Sequence, residues 1–230
     1  MLGAALTAAL GFWQLDRAAQ KQSMQRALDE RGQLPALRSS ELAVDDVAAA
    51  SQHYRRVRLQ GRWLAERTVY LENRTMNGRA GFFVVTPLVL DTGTDHVIVQ
   101  RGWVARDFAE RSRLPDVPTP GGRVEVEGLV AAPPSRLFDF SGPAASGPIR
   151  QNLDLAEYAR ETGLALRPLS IQLADDARNR GDGLLRQWPR PAIDVHKHYG
   201  YAAQWFALAT LITGLYVWFQ LHRPRNRARR

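Results

Sequence analysis

The 230-residue sequence contains no cysteine, which excludes disulfide bonds, thiolate nucleophiles and cysteine metal sites. It also lacks GxSxG, HExxH, a phosphate-binding glycine loop and a dinucleotide-binding fingerprint, motifs that mark several enzyme classes. Histidine is the side chain that titrates near neutral pH, and none of its five copies stands in a recognisable catalytic setting. We therefore expect that the protein is not an enzyme.

The formal net charge of +8 comes mostly from the end of the chain. The last nine residues, HRPRNRARR, carry five arginines. Without them, the chain has 26 basic and 23 acidic residues, a net charge of +3. So small an excess gives no reason to expect nucleic acid as a partner.

Residues 199–221 predict a membrane-spanning helix, because no charged side chain lies between Lys197 and Arg223. The stretch from Gly200 to Leu221 would extend ~33 Å as a helix, enough to cross a hydrocarbon core of ~30 Å. Tyrosine and tryptophan lie near both of its ends, as is typical of membrane boundaries. The basic tail, 222–230, predicts a cytoplasmic C-terminus and places the residues before the helix outside.

Two faces of this helix differ in composition. Small side chains share one face: Gly200, Ala203, Ala207, Thr210 and Gly214. A mainly aromatic stripe with a histidine at its outer end shares the other: His198, Tyr201, Trp205, Ala209, Ile212, Tyr216 and Phe219. We expect the small face to pack against another membrane helix and the stripe to remain open.

Residues 1–15 are also apolar, but they cover only ~22 Å as a helix. We interpret them as the end of an uncleaved membrane helix whose beginning is missing. A signal peptide is the alternative, although no basic residue precedes the run and no small-residue cleavage site follows it. Gly3, Thr7 and Gly11 share one face, which predicts contact with the small face of the second helix. With two spans, both termini are cytoplasmic.

Residues 16–52 predict a juxtamembrane continuation of the first helix, followed by a loop and a short helix. Trp13, Arg17 and Lys21 are four residues apart and share a helix face. They could anchor the helix at the membrane boundary, with tryptophan at the headgroups and cations extended into water. The alternative is a row of cations for an anionic ligand at the outer surface.

Residues 53–195 predict an extracytoplasmic domain built mainly of antiparallel strands. Segments rich in valine, isoleucine, tyrosine and phenylalanine give strands at 54–63, 67–74, 81–90, 95–104, 123–131 and 169–173. Turn residues such as Asn77-Gly78 separate them, and 152–162 predicts a short helix. Long loops are expected between Ala131 and Pro148 and over 175–194, the latter as a flexible approach to the membrane. The fold class is thus an α+β membrane protein with two transmembrane helices bracketing one β domain.

His198 is the histidine with the most suggestive setting, because Tyr201 follows at i+3 and Trp205 at i+7. A flat apolar macrocycle whose metal needs an axial nitrogen would suit an imidazole on such a surface. An interfacial histidine that binds headgroups or the domain above it is the alternative.

Four motifs in this order resemble the Surfeit locus protein 1 family, whose members are cytochrome c oxidase assembly factors. They are LGFWQLDR (10–17) with Lys21, NRTMNGRAGFFVVTPL (73–88), VQRGWV (99–104) and HYGYAAQWFALA (198–209). The resemblance covers nearly the whole chain. It implies two membrane helices around an extracytoplasmic domain, and a role in maturing oxidase subunit I through delivery or insertion of haem a.

The same resemblance implies that His198 is a haem ligand, since a histidine followed by tyrosine and tryptophan at these spacings is the family's C-terminal motif. Tyr201 and Trp205 would pack on the ring, and Arg17 and Lys21 would pair with its propionates. The family usually has asparagine ahead of this histidine, where this chain has His196 and Lys197, so His196 could supplement ligation.

The implied partners are oxidase subunit I, the haem a synthesis machinery and membrane lipid, in a bacterial plasma membrane. The alternative is a membrane scaffold that chaperones an oxidase subunit without contacting haem.

Overall fold

Two long helices lie at the two ends of the chain, with a seven-stranded sheet between them in sequence. The computed structural model describes residues 2–107, 109–110, 114–134, 137, 147–176, 181–188 and 195–227, with side chains as far as residue 220 in the last range. The chain divides into a helical unit, Met1–Glu30 with Arg190–Arg230, and a sheet unit, Arg31–Pro189.

The helical unit contains α1 (Leu2–Gln33) and α4 (Val195–Arg227). Contacts run in opposite order along the two helices: Gln14 with His198, Gly11 with Phe206, and Gly3 with Ile212. The helices are therefore antiparallel. On α1 the buried residues recur at helical spacing, namely Ala4, Thr7, Gly11 and Ala18. This confirms the predicted contact face of the first helix at Thr7 and Gly11, whereas Gly3 is exposed.

The predicted contact face of α4 is wrong. Its small residues, from Gly200 to Gly214, are exposed, and a Cβ added at either of these two glycines would meet no atom within 4 Å. The opposite side faces α1, where Ala202 is buried and the Phe206 ring lies over Gly11. Gly11 of α1 leaves room for the Phe206 side chain of α4, so the two helices approach closely without the small residues of the predicted α4 face. As a result, part of the predicted aromatic stripe faces α1 and is covered by it.

In the described part of the chain, α4 is the one helix long and apolar enough to cross a membrane, over Val195–Gln220 with a mean hydropathy of 1.4. Large apolar side chains such as Leu211, Leu215 and Trp218 are exposed on it, as expected of a helix that contacts lipid. The predicted span, 199–221, falls within this segment except for its last residue. The continuation of the first helix beyond residue 16 is confirmed by α1, whose second half is polar.

The sheet unit contains seven strands and two short helices. The strands are β1 (Arg56–Trp63), β2 (Val69–Met76), β3 (Arg79–Leu90), β4 (Asp95–Ala105), β5 (Arg123–Ala131), β6 (Ile149–Arg150) and β7 (Ala165–Leu173). The helices are α2 (Asp46–Gln52) and α3 (Leu155–Thr162). All six predicted strands and the predicted helix are present, with ends that differ by a few residues. Asn77 and Gly78 both have positive φ angles, of 52° and 73°, and form the predicted turn between β2 and β3.

The strands are ordered β1-β5-β7-β4-β3-β2-β6, and a further pairing of β1 with β3 closes the first five into a ring. Closure occurs at Gly61, which is opposite Leu90 of β3 and Val124 of β5. A Cβ at Gly61 would lie 2.1 Å from the carbonyl oxygen of Val89, so only glycine fits there. Most pairings are antiparallel as predicted, but β4–β7 and β2–β6 are parallel, and β6 was not predicted.

Alternation along the strands builds two hydrophobic layers. The main core lies on one side of the sheet and includes Val57, Leu59, Leu88, Val97, Val99, Leu169 and Ile171. The other layer lies beneath α3 and includes Val69, Leu71, Val85, Ile98 and Tyr158. Asp154 caps the N-terminus of α3, since its side chain accepts a hydrogen bond from the Glu157 amide at 3.0 Å, and Gly163, with φ 71°, caps its C-terminus.

Residues 181–188 pack on β4, which corrects the prediction of a flexible approach over 175–194 for this part. The Trp103 amide donates to the Leu185 carbonyl at 2.7 Å, and the Leu185 amide returns a bond of 2.8 Å. The indole of Trp188 donates to the Leu173 carbonyl at 2.8 Å. Residues 177–180 and 189–194, and most of the loop predicted between Ala131 and Pro148, lie outside the described residues.

Candidate functional site

His198 lies on the side of α4 that faces α1 and is partly buried. Its Nδ1 atom is 2.7 Å from Oε1 of Gln14. Gln14 follows Thr7 and Gly11 at helical spacing on the contact side of α1, so helix register alone brings it to this position. With the Gln14 amide oriented in this way, its Oε1 accepts and Nδ1 of His198 donates, which corresponds to the Nδ1–H tautomer of the imidazole.

Tyr201 and Trp205 take different positions relative to His198. Trp205 is partly buried on the side of α4 that also carries His198, whereas Tyr201 is 52% exposed. The three residues that the sequence grouped are therefore split between the helix contact and the outer surface. Of these two aromatic rings, the one that remains accessible beside His198 is that of Tyr201.

Arg17 and Lys21 lie on α1 beyond Gln14, about 4.5 and 10.5 Å further along the helix axis. The Arg17 guanidinium lies 5.5 Å from the centre of the Trp13 ring and donates to Gln20 Oε1 at 3.1 Å. Arg17 is exposed and Lys21 is partly buried. The predicted shared face is confirmed for Trp13 and Arg17, and both interpretations of these cations stay predictions.

The remaining histidines are less well placed for ligation together with His198. His196 is exposed on the first turn of α4, and a separation of two residues directs it to a different side of the helix. His53 is the capping residue directly after α2, and burial, together with the nearby Arg31 charge, lowers its pKa. Within the described ranges, no three histidine, aspartate or glutamate side chains are grouped to hold a metal ion.

The RGW part of the VQRGWV motif lies in β4 and has a structural role. Arg101 is 2% exposed and donates to Thr119 Oγ1 at 2.6 Å and to the Pro118 carbonyl at 2.7 Å. Burial lowers its pKa. The guanidinium also lies 5.3 Å from the centre of the Trp63 ring, beside a cavity of about 370 Å³. The motif thus holds the loop before β5 against the sheet.

The next two residues of the motif hold a different segment. A Cβ at Gly102 would lie 2.7 Å from Cβ of Leu184, and the Trp103 indole donates to the Arg74 carbonyl at 2.9 Å. Close packing at Gly102 and the paired bonds at Trp103 keep residues 181–188 on β4. The motif therefore holds two segments against β4, namely the loop before β5 and residues 181–188.

Comparison with known proteins assigns the chain to a family. The model of the SURF1 family matches residues 1–210. The chain belongs to the SURF1 family. A SURF1-like protein of Drosophila melanogaster is 25% identical over 234 residues, covering 94% of this chain and 74% of its own length. A SURF1-like protein of Rickettsia felis is 29% identical, covering 90% and 89%. The cytochrome oxidase assembly protein SHY1 of Saccharomyces cerevisiae is 26% identical over 98 residues, covering 43% and 25%. The predicted family is therefore confirmed.

Gln14 is the residue at this SURF1 site that the sequence did not single out. It is a polar side chain inside an apolar run, three residues after Gly11 and seven after Thr7. Extending the contact face of the first helix by one turn would have included it. The sequence interpretation treated this face as a packing surface only, and so the glutamine went unnoticed.

Proposed function

We propose that the protein is a cytochrome oxidase assembly factor that holds haem a transiently as cargo, for transfer to the oxidase subunit that receives it. Membership of the SURF1 family carries the assembly role, and the name of the yeast relative supports it. The proposed partners are oxidase subunit I and the machinery that makes haem a. Haem a supplies a ring that absorbs visible light and an iron that accepts an axial nitrogen.

The chemistry of His198 fits this cargo. Because its Nδ1 faces Gln14 Oε1 at 2.7 Å, Nε2 carries the lone pair that an iron ligand requires. Nε2 makes no hydrogen bond within the described part of the chain. Tyr201 is exposed beside it for ring contact, with Trp205 one turn further on. Arg17 and Lys21 are proposed to pair with the propionates.

A two-span topology accompanies this proposal. The antiparallel order of contacts between α1 and α4 is what two successive spans of one membrane would give. The basic residues at the end of the chain favour a cytoplasmic C-terminus. The sheet unit is then extracytoplasmic, and the protein is a multi-pass protein of a bacterial plasma membrane. Labelling of a cysteine introduced at exposed Gly121 by an impermeant reagent on intact cells tests this orientation, since the native chain has no cysteine.

The test of the cargo is an absorption spectrum of the full chain, purified after co-expression with the enzymes of haem a synthesis. We expect wild-type protein to carry haem a and His198→Ala to lose most of it. His196→Ala is the matched control, because it removes an exposed imidazole from the same turn of α4 and should leave the bound haem unchanged. Equal haem in wild type and His198→Ala would refute the ligand role.

A second candidate is a scaffold that chaperones an oxidase subunit without contacting haem. It is favoured by the position of His198 inside the helix contact, where the bond to Gln14 has a structural role of its own. In that case His198→Ala would leave co-purification with the oxidase intact. Replacement of Arg101 or Trp103, which hold two loops on β4, would abolish it.

A further inference from the structure

Gln14 is a polar residue at an apolar contact between two helices. Its neighbours on the contact side of α1 are Thr7 and Gly11, which are buried, and Phe206 of α4 lies over that glycine. Gln14 is itself partly buried, and an amide that loses contact with water is stabilised by a hydrogen-bond partner. Its Oε1 finds that partner in His198 at 2.7 Å.

We propose that Gln14 is a positioning residue for His198, a role that rests on the proposed haem function. The amide oxygen of Gln14 accepts the Nδ1–H of His198 across the helix pair and so holds the imidazole in one tautomer. Only the other nitrogen, Nε2, is then available to an iron. Histidines that bind metals generally donate their second N–H to an oxygen acceptor in this way.

The bond also fixes the direction of the ring. Both residues lie on regular helices, so the two Cα positions are set by the backbone of the helix pair. A bond of 2.7 Å between their side-chain ends leaves the imidazole little freedom to rotate about its side-chain torsions. Nε2 is separated from Nδ1 by Cε1, and its lone pair points outward from the ring in a different direction from the Nδ1–H that binds Gln14.

Two substitutions separate the acceptor from the bulk of the side chain. Gln14→Leu keeps a similar volume but removes the acceptor. Gln14→Glu keeps an oxygen that can only accept, so the Nδ1–H bond survives. Gln22→Leu is the matched control: the same change at an exposed position of α1, two turns further along.

The first measurement uses the full chain without haem. Nitrogen NMR of labelled histidine separates the two tautomers, and the signal of His198 is assigned as the one that His198→Ala removes. We expect the Nδ1–H form in wild type, Gln14→Glu and Gln22→Leu, and a mixture of both forms in Gln14→Leu. An unchanged tautomer in Gln14→Leu, or an Nε2–H form in wild type, would overturn the role of Gln14.

The second measurement titrates the same proteins with haem a in detergent and follows the absorption spectrum. Loss of the acceptor should weaken binding by about 10-fold to 100-fold, as is typical when the partner of a metal-binding histidine is removed. Gln22→Leu should bind as wild type does, and Gln14→Glu at least as tightly, because a carboxylate also accepts the Nδ1–H and makes the imidazole a more basic ligand. If both Gln14→Leu and His198→Ala bind haem a as wild type does, neither residue acts in haem binding; if wild type itself binds no haem a, the haem function fails. If only His198→Ala weakens binding, the function stands and Gln14 has no positioning role.

Discussion

Gly61→Ala tests whether the closure of the five-stranded ring holds the sheet unit together. Gly61 is the point where β1 is opposite both β3 and β5. A Cβ there would lie 2.1 Å from the Val89 carbonyl oxygen and 3.0 Å from Cγ of Leu88. The first atom belongs to the backbone of β3, so the clash cannot be relieved by rotating a side chain. The strands must move apart by almost 1 Å.

The expected loss combines two effects. Inserting an extra carbon into a packed site costs about 1–3 kcal/mol. Separating β1 from β3 also weakens the bonds of the Asp91 amide to the Gln60 carbonyl, at 3.1 Å, and of the Leu64 amide to the Pro87 carbonyl, at 3.0 Å. Each contributes about 1 kcal/mol net. We expect the free energy of unfolding to fall by about 3 kcal/mol, which lowers the melting temperature by roughly 6–12 °C for a unit of this size.

The assay is thermal unfolding of the full chain in detergent, followed by circular dichroism in the β-sheet region and by tryptophan fluorescence. Gly121→Ala is the control, because a Cβ at Gly121 meets no atom within 4 Å. It should change the unfolding free energy by less than about 0.5 kcal/mol. If Gly61→Ala melts within a degree or two of this control, the β1–β3 contact does not close the ring as described.

Two further predictions concern α3 and pH. Arg150 binds both carboxylate oxygens of Glu161, at 2.5 and 2.7 Å, and lowers the Glu161 pKa. The free energy of unfolding of wild type should decrease as the pH falls below 4.5, the ordinary pKa of a glutamate. The melting temperature of Glu161→Gln should depend less on pH in this range. Identical pH profiles of the two proteins would contradict the pairing. The Tyr158 hydroxyl donates to the Arg67 carbonyl at 2.5 Å, and burial raises its pKa to about 12. Tyr158→Phe should cost about 1–2 kcal/mol and should remove the loss of stability that we expect of wild type above pH 10; an unchanged alkaline profile would argue against this bond.

The strands could be predicted because their signals are local. Alternation of apolar and polar residues along β1 matches its observed burial, and Asn77-Gly78 identifies a tight turn through the φ angles it tolerates. The strand β6 has only two residues, which are too few to show an alternation of apolar and polar side chains. The parallel pairing of β4 with β7 depends on the path of the chain between them, which no local pattern encodes.

The contact face of α4 could not be predicted from its composition. Small residues favour close helix packing, but one helix can supply the small residue and its partner the large one, as Gly11 and Phe206 do. A single sequence gives no means of choosing between these arrangements. In the candidate site, the spacing of the sequence identifies His198 and places Gln14 on the contact face of the first helix, but the pairing of Gln14 with His198 depends on how the two helices meet.

Ring closure also limits how the sheet unit can associate with other chains. Among the described strands, the outer edge is formed by β2, which β6 covers at only two positions. Unpaired strand edges invite addition of a foreign strand. Here the edge is interrupted by a bulge between Leu71 and Arg74, where Asn73 has a φ of 58°. Such an interruption disfavours the addition of a foreign strand along β2.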